Sequence, residues 1–432
     1  MSLLLKDASV ILTQDDKRRV LRDCSVFIEG NRIVEIGKGL KGADTVIDCK
    51  GKIVMPGLVN SHAHPLMSYG RGQYENMGLW EFLRETNAFL KGKLDDKKFT
   101  TICSAVSALE ALRSGTTFLQ NADRKSDAGL RVSYSYYYTP ITKKKEWMKG
   151  VKKLFPEKRK EVQGRGQLDV YVHSLYSVPE RDLKEAVELV KATGCRLFTH
   201  LCENPKEVKI CKNRYGLLPA EHLKKIGFLG KTTVVAHGIF LKEKELTLLK
   251  QTGTSIVHCP VSNMKLGNGI LRLKHVLNKG INVCLGTDSV STNNCMDMFR
   301  EMKTASLLQK AIMQDPKAIP PQTALDMATV NGAKAMGVNA GSIEKGKLAD
   351  VLVLDPEINL LPRKYALHNV VFAATGCNVL HSIIDGEIVI FDRRLAGEIQ
   401  LYHEHQMDKT PWKRIDEEEL MGMFEDLVED AR

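Results

Sequence analysis

Residues 185–200 read EAVELVKATGCRLFTH. Ala186, Val187, Leu189 and Val190 recur at helical spacing among Glu and Lys, which predicts an amphipathic helix. Gly194 suits the left-handed residue that stops such a helix. The short β-rich run after it lacks strict alternation, as strands buried on both faces do, and it closes on polar His200. The same order of helix, glycine, short strand and polar residue recurs at 107–121 (SALEALRSGTTFLQN), 224–238 (KKIGFLGKTTVVAHG), 245–260 (ELTLLKQTGTSIVHCP) and 274–288 (KHVLNKGINVCLGTD). A helix-to-strand repeat of this kind predicts an α/β protein with a parallel sheet.

VMPGLVNSHAH near the start, RVSYSYYY at 131–138 and LDVYVHS at 168–174 bring the candidate strands between residues 53 and 288 to eight. Eight is the number that closes a (β/α)8 TIM-type barrel. An open doubly wound sheet competes, but no Gly-rich phosphate fingerprint follows the first strand. The two ends of the chain read differently. CSVFIEGNRIVEIG at 24–37 and SIIDGEIVIFD at 382–392 each set a Gly-Asn or Asp-Gly turn between β-rich runs, a strong hairpin signal. They are either two separate β appendages or one small domain assembled from both ends.

At 432 residues, 43% apolar and 27% charged, the chain can hold one large barrel and a small satellite domain. No apolar run approaches the ~18 residues of a membrane helix. The start, MSLLLKDASV, lacks the basic lead and apolar length of a signal peptide. Ten cysteines are scattered without a Cys-x-x-Cys pair, and Cys202, Cys259 and Cys284 lie inside apolar runs. A soluble protein of the reducing cytoplasm is expected.

The net charge of +11 is concentrated: residues 141–165 carry ten Lys or Arg against three Glu. The tail from Ile415 reverses this, with eight acids and one arginine. Solvated helical faces explain both runs. Trp147 and Phe155 are too few aromatics for a nucleic-acid platform. Neither nucleic acid nor membrane is an expected partner. Leu420, Phe424, Leu427 and Val428 recur at helical spacing in the tail, predicting a helix docked on its own barrel; a subunit contact, and hence a homo-oligomer, is the alternative.

In such a barrel the active site lies at the C-terminal ends of the strands. The first strand closes on His62 and His64, the fourth on His173, the fifth on His200 with Glu203 three residues on, the sixth on His237 and the eighth on Asp288. A divalent metal takes neutral imidazoles and a carboxylate, and side chains two apart on a strand share a face, so His62 and His64 can grip one ion. His-x-His alone is a weak signal; four histidine-bearing strand ends with two carboxylates make a metal site.

These residues, with MPGLVNSHAHP at 55–65, Arg71-Gly72, SGTT at 114–117, HLCENPKE at 200–207, VVAHGIFL at 234–241, HCPVSNMKLGNGI at 258–270, LGTDSVSTNNCMDMF at 285–299, MATVNGAKAMG at 327–337 and GSIEKGKLADVLVLD at 341–355, resemble the amidohydrolase superfamily. Within it they resemble the mononuclear-metal branch that includes methylthioadenosine/S-adenosylhomocysteine deaminases and related purine and triazine hydrolases. The resemblance covers nearly the whole chain. It implies a barrel over residues 53–340, flanked by a composite β-sandwich from residues 1–52 and 341–400, then a helical tail over 401–432. It also implies one metal, zinc ahead of iron, on His62, His64, His200 and Asp288. VYVHS offers no lysine for carbamylation, which argues against a two-metal site.

The implied activity is hydrolytic deamination of a small heterocycle by water, on the purine of a 5′-substituted adenosine. Asp288 and His237 would accept the proton of the water, Glu203 would protonate the ring nitrogen, and His173, Glu203 and Ser289 would contact the substrate. Two departures bear on substrate choice. Lys91 stands where nucleoside deaminases of this branch carry a ribose-binding glutamate, with Glu85 out of register. YYYTPITKKKEW replaces their arginines after the third strand, and a lysine does not reproduce a two-pronged guanidinium contact. A deaminase or dechlorinase for guanine, a pterin or a triazine is the alternative. A catalytically dead binding protein would be expected to have lost ligands, and all are present.

Overall fold

The computed structural model describes residues 1–121, 128–138, 164–401 and 413–429, with scattered positions between 151 and 162. Most of the basic run, and the segment after the third strand, lie outside the described residues. The repeats form eight parallel strands: β1 (Leu58–His64), β2 (Thr116–Asn121), β3 (Arg131–Tyr138), β4 (Gly166–Val172), β5 (Leu197–Leu201), β6 (Thr233–His237), β7 (Ser255–His258) and β8 (Val283–Leu285). Each pairs with its neighbour in chain order. The ring closes just beyond β8, where Asp288 pairs with Ala63 and Ser289 with His64. That seam is tight at Gly286, where a Cβ would sit 2.8 Å from the backbone nitrogen and oxygen of His62.

The opening motif folds as its pattern predicts: helix Glu180–Thr193 stops at Gly194, φ 67°, and β5 follows with every residue buried. Outward-facing aliphatics of the strands pack under the helices in one large core. Inside the barrel, Val59, Phe118, Tyr171, Phe198, Val234 and Val257 pack with Ala333 and Met336 of helix Val330–Met336, which plugs one end. The polar strand ends collect at the other.

The two termini build one sandwich. Its smaller sheet takes strands from residues 2–48, and its larger sheet joins strands 10–12, 20–21 and 53–56 to strands 351–354, 379–384, 387–391 and 394–395. Both predicted hairpins are present and antiparallel. The seam between the termini is the antiparallel pair Val351–Leu354 with Ile53–Pro56, which carries the sandwich past residue 52. Leu5, Val26, Ile28, Val54, Val353 and Ile383 fill the space between the sheets.

Gly57 turns the chain from the sandwich strand into β1, and a Cβ there would lie 1.9 Å from Thr117 Oγ1. A buried ion triad fixes the sandwich to the barrel: Arg131, opening β3, donates to Asp350 (2.8 and 3.1 Å) and Asp385 (2.7 Å). The tail forms a strand pair, Ile399–Leu401 with Lys413–Ile415, then helix Glu417–Glu429. Leu420 is fully buried, and Phe424, Leu427 and Val428 pack on the apolar cluster of Leu66, Tyr69, Phe82 and Phe99. No described helix is long and apolar enough to cross a membrane.

Candidate active site

Parallel pairing brings the strand ends level, so His62, His64, His200, His237 and Asp288 meet in one buried pocket. His64 Nε2 lies 3.2 Å from His200 Nε2. Asp288 Oδ1 lies 3.4 Å from His62 Nε2 and 3.8 Å from His64 Nε2. Two atoms each bound to one zinc ion at tetrahedral geometry stand about 3.3 Å apart. Among the described residues His62 Nε2 is buried without a hydrogen-bond partner, which an ion would supply. The donor set therefore fits a divalent cation.

Surrounding groups fix the orientation of these donors. His200 Nδ1 donates to the His173 carbonyl (2.7 Å), turning Nε2 inward. Ser262 Oγ donates to Asp288 Oδ2 (2.6 Å) and the Ser289 amide to Oδ1 (2.8 Å). Asp288 and His237 both sit at positive φ, 62° and 72°, a backbone strain that aims side chains out of the strand alternation.

Burial pushes His62 down to about 4 and His173 to about 3, with His200 and His237 also lowered. Imidazoles that stay neutral at pH 7 are those a metal can use. Burial opposes ionisation of Asp288, yet His62, His237 and His64 around it hold its carboxyl well below the usual range. Glu203 goes the other way: burial and the nearby Asp288 push it up to about 8, so it carries a proton at neutral pH. Its Oε2 is 3.7 Å from His237 Nε2.

His173 is buried, with Nδ1 against Ser174 (3.0 Å) and Ser177 (2.7 Å). Ser289, expected at the substrate, has its hydroxyl accepting from the Thr292 amide (3.1 Å), where it caps a short helix. Lys91 is exposed just past helix Leu79–Leu90, and Glu85 pairs with Arg84 at 2.8 Å.

Several groups at the site escape a search of strand ends. Asn263 accepts from His237 Nδ1 (2.8 Å), which makes Nε2 the unprotonated nitrogen of the ring. Glu207 accepts the amides of Cys202 (3.0 Å) and Glu203 (2.9 Å), pinning the turn after β5. Asn268 donates to Glu203 Oε1 (2.9 Å). The signal was present in the spacing of HLCENPKE and HCPVSNMKLGN, but only the fold shows which polar residue faces which partner.

The family model described as "Amidohydrolase family" matches residues 53–389. A 5-methylthioadenosine/S-adenosylhomocysteine deaminase of Thermococcus onnurineus is 36% identical over 91% of this chain and 95% of its own length. A 5′-deoxyadenosine deaminase of Methanosphaera stadtmanae is 34% identical over 91% of this chain and 94% of its own. Among solved structures, an adenosine deaminase from Xanthomonas campestris with bound zinc superposes with TM-score 0.89 at 24% identity, covering 100% of this chain and 98% of that one. At that identity the likeness is one of fold.

Proposed function

The chain belongs to the amidohydrolase family, and from that premise we propose that it is a metal-dependent hydrolytic deaminase acting on the purine of a 5′-substituted adenosine. The observation that carries this reading is one buried pocket holding two overlapping triads of cation donors, His62–His64–His200 and His62–His237–Asp288, beside Glu203, whose carboxyl burial pushes up. Relatives named for methylthioadenosine, S-adenosylhomocysteine and 5′-deoxyadenosine support the substrate class, since these differ only at the 5′ position.

One divalent cation, zinc ahead of iron, would be held by His62, His64, His200 and Asp288 and would supply the Lewis acidity that brings the pKa of water toward ~7. Asp288 and His237 take the proton of the attacking water. Glu203 delivers its proton to the ring nitrogen beside the amino-bearing carbon, so that the ring accepts the attack. The proton taken from water passes to the departing amine, and as the C–N bond breaks the hydroxyl proton of the adduct returns to Glu203; water and the aminopurine become the oxopurine and ammonia. His173 borders the purine, and Ser289 holds Asp288 through its amide. The ten free thiols suit a cytoplasmic setting.

A second reading, a deaminase or dechlorinase for guanine, a pterin or a triazine, is favoured by Lys91, which is exposed where the nucleoside-deaminase pattern calls for a ribose-binding glutamate. Ammonia release from adenosine analogues, guanine, pterins and triazines by metal-quantified protein decides between them. Turnover of 5′-substituted adenosines is expected, with Glu203→Gln abolishing it at unchanged metal content. Ammonia only from non-nucleosides, or an active Glu203→Gln protein, overturns the proposal.

A further inference from the structure

Glu203 is not held by the barrel alone. Trp80, on helix Leu79–Leu90, donates its indole N–H to Asn204 Oδ1 (3.1 Å). Asn204 Nδ2 donates to Asn268 Oδ1 (2.9 Å), and Asn268 Nδ2 donates to Glu203 Oε1 (2.9 Å). The three bonds point the same way. An indole N–H can only donate, so Trp80 requires the oxygen of Asn204 to face it. The Lys206 amide, also donating to that oxygen (3.0 Å), requires the same orientation. Asn204 then has only N–H groups to offer Asn268, and Asn268 only N–H groups to offer Glu203. Oε1 of the carboxyl is thereby occupied by a donor, and the proton is left to Oε2, the oxygen nearest His237.

The indole is itself gripped on its faces. Tyr176 packs on it with ring centroids 5.0 Å apart, and Lys206 Nζ sits 4.5 Å from a Trp80 ring centroid. Tyr176 meets the His173 ring edge-on at 5.6 Å. One side chain on a segment between β1 and β2 thus reaches both groups assigned to the purine.

We propose that Trp80 is a positioning residue for the reaction. Together with the Lys206 amide it holds Asn204 in the orientation that directs the relay through Asn268 onto Oε1 of Glu203 and leaves the transferable proton to Oε2. This rests on the deaminase reading for Glu203 as proton donor, and it adds a residue that never needs to touch the reacting atoms.

A double-mutant cycle on kcat tests it, with Trp80→Phe keeping an aromatic ring beside Tyr176 while removing the N–H together with part of the indole. Trp80→Phe is expected to lower kcat about 5- to 10-fold and Asn268→Ala about 100-fold, with KM changed less than threefold and metal content unchanged, in line with the loss of hydrogen bonds to a charged or proton-transferring group. The double variant should be no slower than Asn268→Ala alone, because both changes break one chain. Multiplicative losses, or a Trp80→Phe defect confined to KM, overturn the relay. The cycle is run on whichever heterocycle the wild type turns over, so failure with every nucleoside would sink the substrate assignment without touching the relay. Thermal midpoints are read in parallel; if no substrate is turned over, additive shifts in the cycle overturn the relay and non-additive shifts support it.

Discussion

Ser262→Ala gives a sharp test of how the site holds its cation. Ser262 Oγ donates to Asp288 Oδ2 at 2.6 Å inside a fully buried pocket and also touches Thr292 Oγ1 at 2.9 Å. Removing one oxygen leaves Thr292 bonded to the Ser289 carbonyl (3.2 Å), so the damage falls on Asp288. A hydrogen bond to an ionised carboxylate contributes about 1.5–3 kcal/mol, which corresponds to roughly 10- to 150-fold in an equilibrium. The Ser289 amide still holds Oδ1, so Asp288 keeps its place with a looser rotamer. Metal affinity should therefore fall about 10- to 100-fold, as when other groups that orient metal ligands are removed. Competition against a chromophoric chelator reads the affinity directly, and kcat at saturating metal should recover most of its wild-type value. A chelator curve overlaying the wild type would refute the idea that this hydroxyl orients the carboxylate for a cation.

Arg131→Ala strips the cation from a triad in which the Asp350 side chain is only 2% exposed; the buried carboxylate left without its cation should destabilise the fold by about 3–5 kcal/mol, or roughly 3–6 °C in calorimetry for a chain of this length, with kcat at 25 °C unchanged. In metal-stripped protein two sets of buried groups oppose each other. Glu203, Glu207 and Glu301, raised from 4.5 to about 8, 7 and 8, stabilise the fold at low pH and lose that contribution as pH rises through those values. His62, His173 and His258, depressed from 6.5 to about 4, 3 and 3, with His200 and His237 also lowered, lose theirs as pH falls below 6.5. The thermal midpoint in chelator should peak near pH 6.5, taken from the ordinary histidine value, and fall on both sides; a monotonic profile would contradict these burial effects.

The barrel was legible because its helices and strands announce themselves locally: Gly194 and Gly253 end helices in the left-handed conformation, and the strand that follows each begins within a few residues. The histidines and Asp288 were found by the rule that chemistry sits where barrel strands end. What stayed hidden is lateral. Nothing in the spacing of Ser262, Asn263 and Asn268 tells which faces Asp288, which His237 and which Glu203, because three different strands supply the partners. Ser289 reads as a polar neighbour of a ligand, yet its hydroxyl is taken by the start of the following helix. The hairpins of the termini were readable from Gly-Asn and Asp-Gly turns, whereas the pairing of Ile53–Pro56 with Val351–Leu354 depends on shape across the whole chain.

That last pairing has a consequence for how the molecule is made. During translation the strand Ile53–Pro56 and its continuation β1 leave the ribosome long before their partner Val351–Leu354 exists. At ordinary elongation rates of ~5–20 residues per second, the interval is about 15–60 s. For that time a fully apolar strand edge stands open in the nascent chain, directly ahead of the His62–His64 segment. Chaperone capture should therefore be strongest on stalled chains shorter than about residue 350 and should drop once the C-terminal strands have emerged.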